Sequence, residues 1–465
     1  RQPVGLHRAA DHQRQDRENT RRQGRQAAGD EAEAEVGERQ GGGHGGAPVG
    51  VIALAAAAAG FFYRRLLGAT VCAGLAGLMF AVDDAHSMVI AWIANRHSII
   101  STACGIAALI AYDKYRKDDW KPGRFLGPLA LVLALLAGEN GVSTLAYLFA
   151  YAVFLDEAPW RSRITSLLPY GGVAAIWALG YKLGGYGAAG GAFYIDPIRQ
   201  IGDYLDAVAI RLPVLLAGQI AAPPADVWMS LPPEKTTGLV RVCLGVLTFV
   251  GMGLGLVLYD NRKAGFFALG MTLSLLPACA TWPGDRNLLF AGLGGFGLVA
   301  QLLTGSREHL AEVPRKLASL TGGIFIFLHL VVAPLLLPLR AHITGAMLNG
   351  YTERAVHSMP HGAQVAGKTL VVLSAPDSVI ANTTIAAKLN AGETLPESFR
   401  VLSTATEGSM SVRRVDDKTL AITQSAGHMH EPTATVFRDP NRFMLRVGDR
   451  VALQGVTAEI ISVTS

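Results

Sequence analysis

Apolar runs of helical length alternate with short polar connections between Val49 and Arg340. Ten runs stand out, at about 48–62, 66–82, 97–112, 125–138, 141–155, 164–181, 238–259, 264–281, 287–304 and 320–338. Each predicts a helix embedded in a bilayer, whose hydrocarbon core asks for ~20 apolar residues. The shorter runs need thinning of the bilayer or help from flanking residues. The stretch 182–237 contains one further apolar piece, Val208 to Ile220, interrupted by Arg211 and Pro213. It reads as an interfacial or re-entrant segment, after a glycine-rich loop at 184–191 and before the pairs Pro223-Pro224 and Pro232-Pro233.

Beyond residue 366 the period shortens to two. Leu370–Leu373, Arg400–Ser403, Ser411–Val415, Thr419–Thr423, Thr435–Arg438, Arg450–Leu453 and Glu459–Val463 read as strands, and 379–390 as a helix. The expected fold class is therefore mainly α: a polytopic transmembrane helix bundle at 48–340, a linker at 341–365, and a small β-rich domain at 366–465. Residues 1–47 hold eight Arg and eight acidic residues with no Lys and no aromatic residue, which predicts a disordered low-complexity segment.

Charge orients the pattern. Arg64 and Arg65, the group from Lys114 to Arg124, Arg161 and Arg163, Arg262 and Lys263, and Arg307, Arg315 and Lys316 fill five alternate connections. Those five share one face only if 125–155 is two helices broken at Gly138-Glu139-Asn140. Basic connections face the cytoplasm, so the other connections and the β-rich domain are expected outside. A net charge of +5 and a pI near 9.0 then reflect membrane anchoring, and nucleic acid is not an expected partner. The cysteines, Cys72, Cys104, Cys243 and Cys279, all fall in apolar runs, so no disulfide framework or cysteine metal site is expected.

Ionisable residues at membrane depth are expensive and mark candidate sites. Asp83, Asp84 and His86 end the second run; they could bind a divalent cation or supply a base, or Asp could simply cap the segment that follows. A helix over 86–96 would carry Trp92 as an interfacial anchor and Arg96 as a phosphate contact or a snorkelling cation. Glu139 sits in a very short hairpin, facing a cavity or exposed in a turn. Arg286 could clamp a phosphate or pair with its neighbour Asp285. His428 and His430 form a weak metal pair. No Walker loop, HExxH or strand-to-helix GxGxxG is present.

The segment Phe80 to Arg96, with Asp83-Asp84-Ala85-His86 and Ala91-Trp92-Ile93-Ala94-Asn95-Arg96, resembles the "H-P-x-x-x-E-x-V-A-W-I-A-x-R" stretch of bacterial GT-C glycosyltransferase-like membrane proteins. These are relatives of protein O-mannosyltransferases and of tetratricopeptide-bearing transmembrane mannosyltransferases. Leu135-Leu136-Ala137-Gly138-Glu139-Asn140-Gly141 is similar to their "L-L-S-K-E-x-x" hairpin, with Gly in place of Lys. The run Asp285 to Gly294 echoes "E-R-Y-L-Y-L-P-S-x-G". Together these cover about residues 66–304.

The resemblance implies an enzyme of the bacterial inner membrane that moves a sugar from a polyprenyl-phosphate carrier at the outer leaflet. It implies Asp83, Asp84 and Glu139 as acids, Arg96 and Arg286 as phosphate contacts, and His86 and Asp285 in support. The family's principal acidic loop would precede residue 47, where this chain has its arginine-rich tract, so an N-terminal part is expected to be missing or misread. The tetratricopeptide array gives way to the β-rich tail. The alternative is a non-catalytic scaffold presenting the β domain to an envelope partner; a transporter is a third choice.

Overall fold

The computed structural model describes residues 46–465 except 188–190, 192–193, 309, 376–377, 405–407, 426, 428–437, 440–441, 454 and 464–465. The chain divides into two units, 1–54 and 55–465. The low-complexity expectation for 1–45, the His428–His430 pair and most of the strand expected at 435–438 lie outside the described residues.

The bundle contains α1 (Gly46–Leu67), α2 (Val71–Val82), α3 (Ser87–Ala91), α4 (Arg96–Lys117), α5 (Gly123–Ala137), α6 (Ser143–Phe154) and α7 (Trp160–Leu183). It continues with α8 (Ile201–Ile220), α9 (Thr236–Leu258), α10 (Arg262–Ser274), α11 (Leu289–Thr304) and α12 (Glu312–Ile326), then a π-helical turn, Phe327–Val332, leading into α13 (Ala333–Ser358). The expected runs fall mainly on helix, with interruptions at 68–70 and at Leu275–Leu276. Six stretches are long and apolar enough to cross a membrane by length and composition, and α5 and α11 are shorter apolar helices.

The centre is α11. Every residue from Leu289 to Leu302 is buried, as expected for a helix that is apolar all round. Its glycines let neighbours approach: a Cβ at Gly297 would sit 2.6 Å from the Phe267 ring of α10. Around it Tyr63 donates to the Leu293 carbonyl at 2.8 Å and Tyr147 to the Phe290 carbonyl at 2.6 Å. The periphery is inverted relative to a water-soluble protein. Phe125, Leu129, Leu133 and Leu136 form an exposed apolar stripe on α5, and Ile164, Leu168, Ile176 and Leu179 lie bare on α7.

The basic connections converge at one end. Arg65 reaches Asp113 at 2.6 Å and Asp118 at 2.9 Å, Arg116 grips Asp156 at 2.8 and 3.1 Å, and Arg262 meets Glu157 at 3.3 Å. Asn261 caps α10 through Lys263 and Ala264 and donates to Gln301 at 2.9 Å, which brings in the end of α11. The break between α5 and α6 is as expected: Gly138 is extended, and Glu139–Val142 form a 3-10 turn.

Three expectations need correction. The helix over 86–96 is broken, because Trp92 adopts an extended conformation between α3 and the turn Ile93–Asn95. The stretch 341–365 is not a linker throughout: α13 runs to Ser358, since no proline intervenes between Arg340 and Met359-Pro360. The piece at 208–220 belongs to a 20-residue helix. Arg211 is accommodated there by donating to the carbonyls of Cys279 and Thr281. Tyr204 on the first half of α8 donates to the Leu276 carbonyl at 2.8 Å. The other end of α8 reaches His329, and the chain then returns to Asp285 through Ala225.

After α13 the chain forms short ladders. β1 (Thr369–Val372) and β2 (Ser398–Val401) pair in parallel across α14 (Ser378–Asn390), which packs on α13. β3 (Met410–Arg414) with β4 (Leu420–Gln424), and β5 (Arg450–Leu453) with β6 (Val456–Glu459), are antiparallel hairpins. The last strand lies earlier than the expected 459–463, because Gly455, at φ +80°, turns the chain directly after β5.

Candidate functional site

Opposite the basic end, three connections and one helix meet. Asp83 closes α2, and its Oδ1 accepts from the Ala85 amide at 3.3 Å, so the capping role holds. That turn holds Asp84 on the 3-10 segment Asp84–His86. Asp285 follows the extended Gly284 at the entry to α11, and Asp226 lies in the 3-10 segment after Pro224. The two loops lock each other: Asp226 Oδ1 accepts from the Asp285 amide at 2.9 Å, and Asp285 Oδ1 accepts from the Ala225 amide at 2.7 Å. A Cβ at Gly284 would come within 3.2 Å of that Asp226 oxygen, a tight contact that glycine avoids.

Arg340 of α13 enters the middle. Its Nη1 donates to Asp84 Oδ2 at 2.5 Å, and its Nη2 donates to Asp226 Oδ2 at 2.8 Å and Asp285 Oδ2 at 2.6 Å. Three carboxylates face one guanidinium, so full ionisation leaves an excess of negative charge. Burial and the neighbouring Asp226 carboxylate push the Asp285 carboxyl up to about 7, against the opposing pull of Arg340. The centre can therefore give or take a proton near neutral pH.

The expected site residues are distributed as follows. Asp84 and Asp285 come together through Arg340; the alternative pairing of Asp285 with Arg286 does not occur. Arg286 is half-buried and makes no ion pair among the described residues. Asp83 and His86 point into the bundle, 5% and 1% exposed, with His86 Nε2 3.7 Å from Asp83 Oδ2. Glu139 is exposed and accepts from the Tyr181 hydroxyl, away from Arg340. Arg96 begins α4 with a buried Nε that has no partner among the described residues.

Asp226 and Arg340 were not expected. Arg340 carried a signal, being the basic residue that ends the long apolar stretch from Gly322 to Leu339. Among the described residues no group of three or more His, Cys, Asp or Glu could hold a metal ion. At the acid end Arg340 occupies the place a cation would take. The four cysteines are free thiols.

No family model matches this chain, and no curated protein or solved structure does either.

Proposed function

We propose that the chain is a multi-pass membrane protein whose acid end faces outside and acts on a phosphate-bearing lipid, as a transferase of sugar from a polyprenyl-phosphate donor. The observation that carries this reading is the convergence of Asp84, Asp226 and Asp285 on Arg340, with Arg286 next to Asp285 and without an ion pair among the described residues. In this reading Asp285, with a proton affinity near neutral, takes the proton of the attacking hydroxyl. Arg286 and Arg96 steady the leaving phosphate. The resemblance of 66–304 to GT-C-like proteins supplies the reaction class. The test is transfer of labelled sugar from a polyprenyl-phosphate donor by membranes containing the chain, with Arg286→Ala expected to lower it at least tenfold. Absence of transfer, or an unaffected variant, removes the enzyme reading.

One observation favours a scaffold instead. Arg340, which holds the acids together, lies on α13, and that helix continues 18 residues, about 27 Å, to the C-terminal ladders. Under that reading deletion of 366–465 abolishes function while Arg286→Ala does not. Both readings rest on sidedness. In a background lacking the four cysteines, Ser409→Cys should react with an impermeant thiol reagent from outside, and Ser306→Cys only after permeabilisation. The reverse pattern would invert the molecule.

A further inference from the structure

Beneath the Arg340 centre lies a second, fully buried polar layer. Asp83 Oδ2, both ring nitrogens of His86 and both amide atoms of Gln219 are buried without a hydrogen-bond partner among the described residues. Asp83 and His86 share one turn and Gln219 comes from α8, and the three meet. His86 Nε2 is 3.7 Å from Asp83 Oδ2. The Gln219 amide lies beside the Asp83 carboxylate without good hydrogen-bond geometry, and His329 and Asp84 act on that carboxylate electrostatically.

The walls are apolar and close. Phe80 stacks edge-on to His86 at 5.1 Å and to Phe296 at 6.5 Å, and Phe296 lies edge-on to His329 at 5.3 Å. A π-helical turn sets His329 into this wall, where its Nε2 donates to the Ile220 carbonyl at 3.0 Å. Single π turns inside α-helices recur at functional sites.

Five orphaned polar atoms on three buried side chains would be costly in a dry interior, and buried polar groups are normally satisfied by protein or bound water. Gln219 both donates and accepts, neutral His86 does the same, and Asp83 accepts. Water, which also both donates and accepts, can partner atoms on all three side chains.

We propose that this layer is a hydrated proton-binding site in which Asp83 and His86 hold one exchangeable proton between them. The groups facing it are Tyr63 from α1, Asp84 on the same turn, Gln219 from α8 and His329 from the π turn. α11 contributes Phe296 and Gly292, and Arg340 of α13 is committed to the outer acids. The shared proton therefore offsets the charge of Asp83. Its presence changes the field at Asp84, one peptide away and bound to Arg340.

Two measurements on the full chain in detergent test this. Gln219→Leu removes one polar partner. A hydrated layer predicts a thermal midpoint lower by about 2–4 °C; an unchanged or higher midpoint means the layer is dry and overturns the proposal. In 15N-histidine-labelled protein, with His86→Phe used for assignment, the His86 ring nitrogens should change their protonation with pH. In Asp83→Asn they should stay in the neutral form. Identical His86 spectra in the two proteins overturn the shared proton. Exchange of potassium for sodium or choline at constant ionic strength should leave the wild-type midpoint unchanged. An Asp83-dependent shift would instead identify a metal cation as the ligand and overturn the proposal.

Discussion

At the basic end Asp113, with a side chain 1% exposed, meets Arg65 at 2.6 Å and Lys117 at 3.1 Å and accepts from the Tyr151 hydroxyl at 2.9 Å. At the acid end Asp285, equally buried, shares Arg340 with Asp84 and Asp226. One end surrounds a carboxylate with cations; the other surrounds a cation with carboxylates. At the basic end each buried carboxylate has at least one cation in contact. The unbalanced group holds a carboxyl up to about 7, and the neighbouring Arg286 makes no ion pair among the described residues. A buried ion pair is weak evidence for net stability; we read the basic end as architecture and propose the acid end as the place for chemistry.

Removing the cation from each end breaks this comparison with the largest effect. Arg116→Ala strands the single carboxylate of Asp156, whose side chain is 4% exposed, and should cost about 3–5 kcal/mol. Arg340→Ala strands three carboxylates against one another and should cost at least as much at pH 8. Thermal denaturation of both variants in detergent ranks them. A clearly smaller loss for Arg340→Ala would mean the acid end carries no excess charge.

The helical plan was legible because apolar runs and alternate basic connections are local signals, and ion pairs such as Arg116–Asp156 show the charged connections together. Asp84 and Asp285 were legible too, as charges where an apolar run should begin or end. Their meeting was not. Asp226 and Arg340 are 114 residues apart, and Asp226 sits in a proline-flanked turn that resembles any surface loop. Trp92 was misjudged because an amphipathic face suggests a continuous helix, while the extended backbone that breaks it leaves no local mark. The continuation of α13 past Arg340 was missed because falling hydropathy ends a membrane run without ending a helix.

A smaller effect sharpens the comparison through pH. The folded-state carboxyl of Asp285, pushed up to about 7, lies above the ordinary unfolded value near 4. The folded protein therefore binds the proton more tightly than the unfolded chain. This contribution is fully present below about pH 4 and is lost as pH rises through about 7. Asp285→Asn should flatten that part of the stability–pH curve measured by thermal denaturation. A slope that survives in Asp285→Asn would assign the titration to another group.

The smallest effect is also the most discriminating. Asp156→Asn at the basic end removes the acceptor of both Arg116 hydrogen bonds as a charge and should cost several kcal/mol. Asp226→Asn is different in kind. The amide oxygen can still accept from the Asp285 backbone at the position of Oδ1, and the side chain is 35% exposed, so its other arm can turn to water. Arg340 keeps Asp84 and Asp285, and one negative charge leaves a group that had too many. The change should stay within about 1 kcal/mol, the range of exposed ion pairs, and be slightly stabilising above pH 7. A loss as large as that of Asp156→Asn would show that Arg340 needs all three acids, and that both ends of the bundle are built on the same balance.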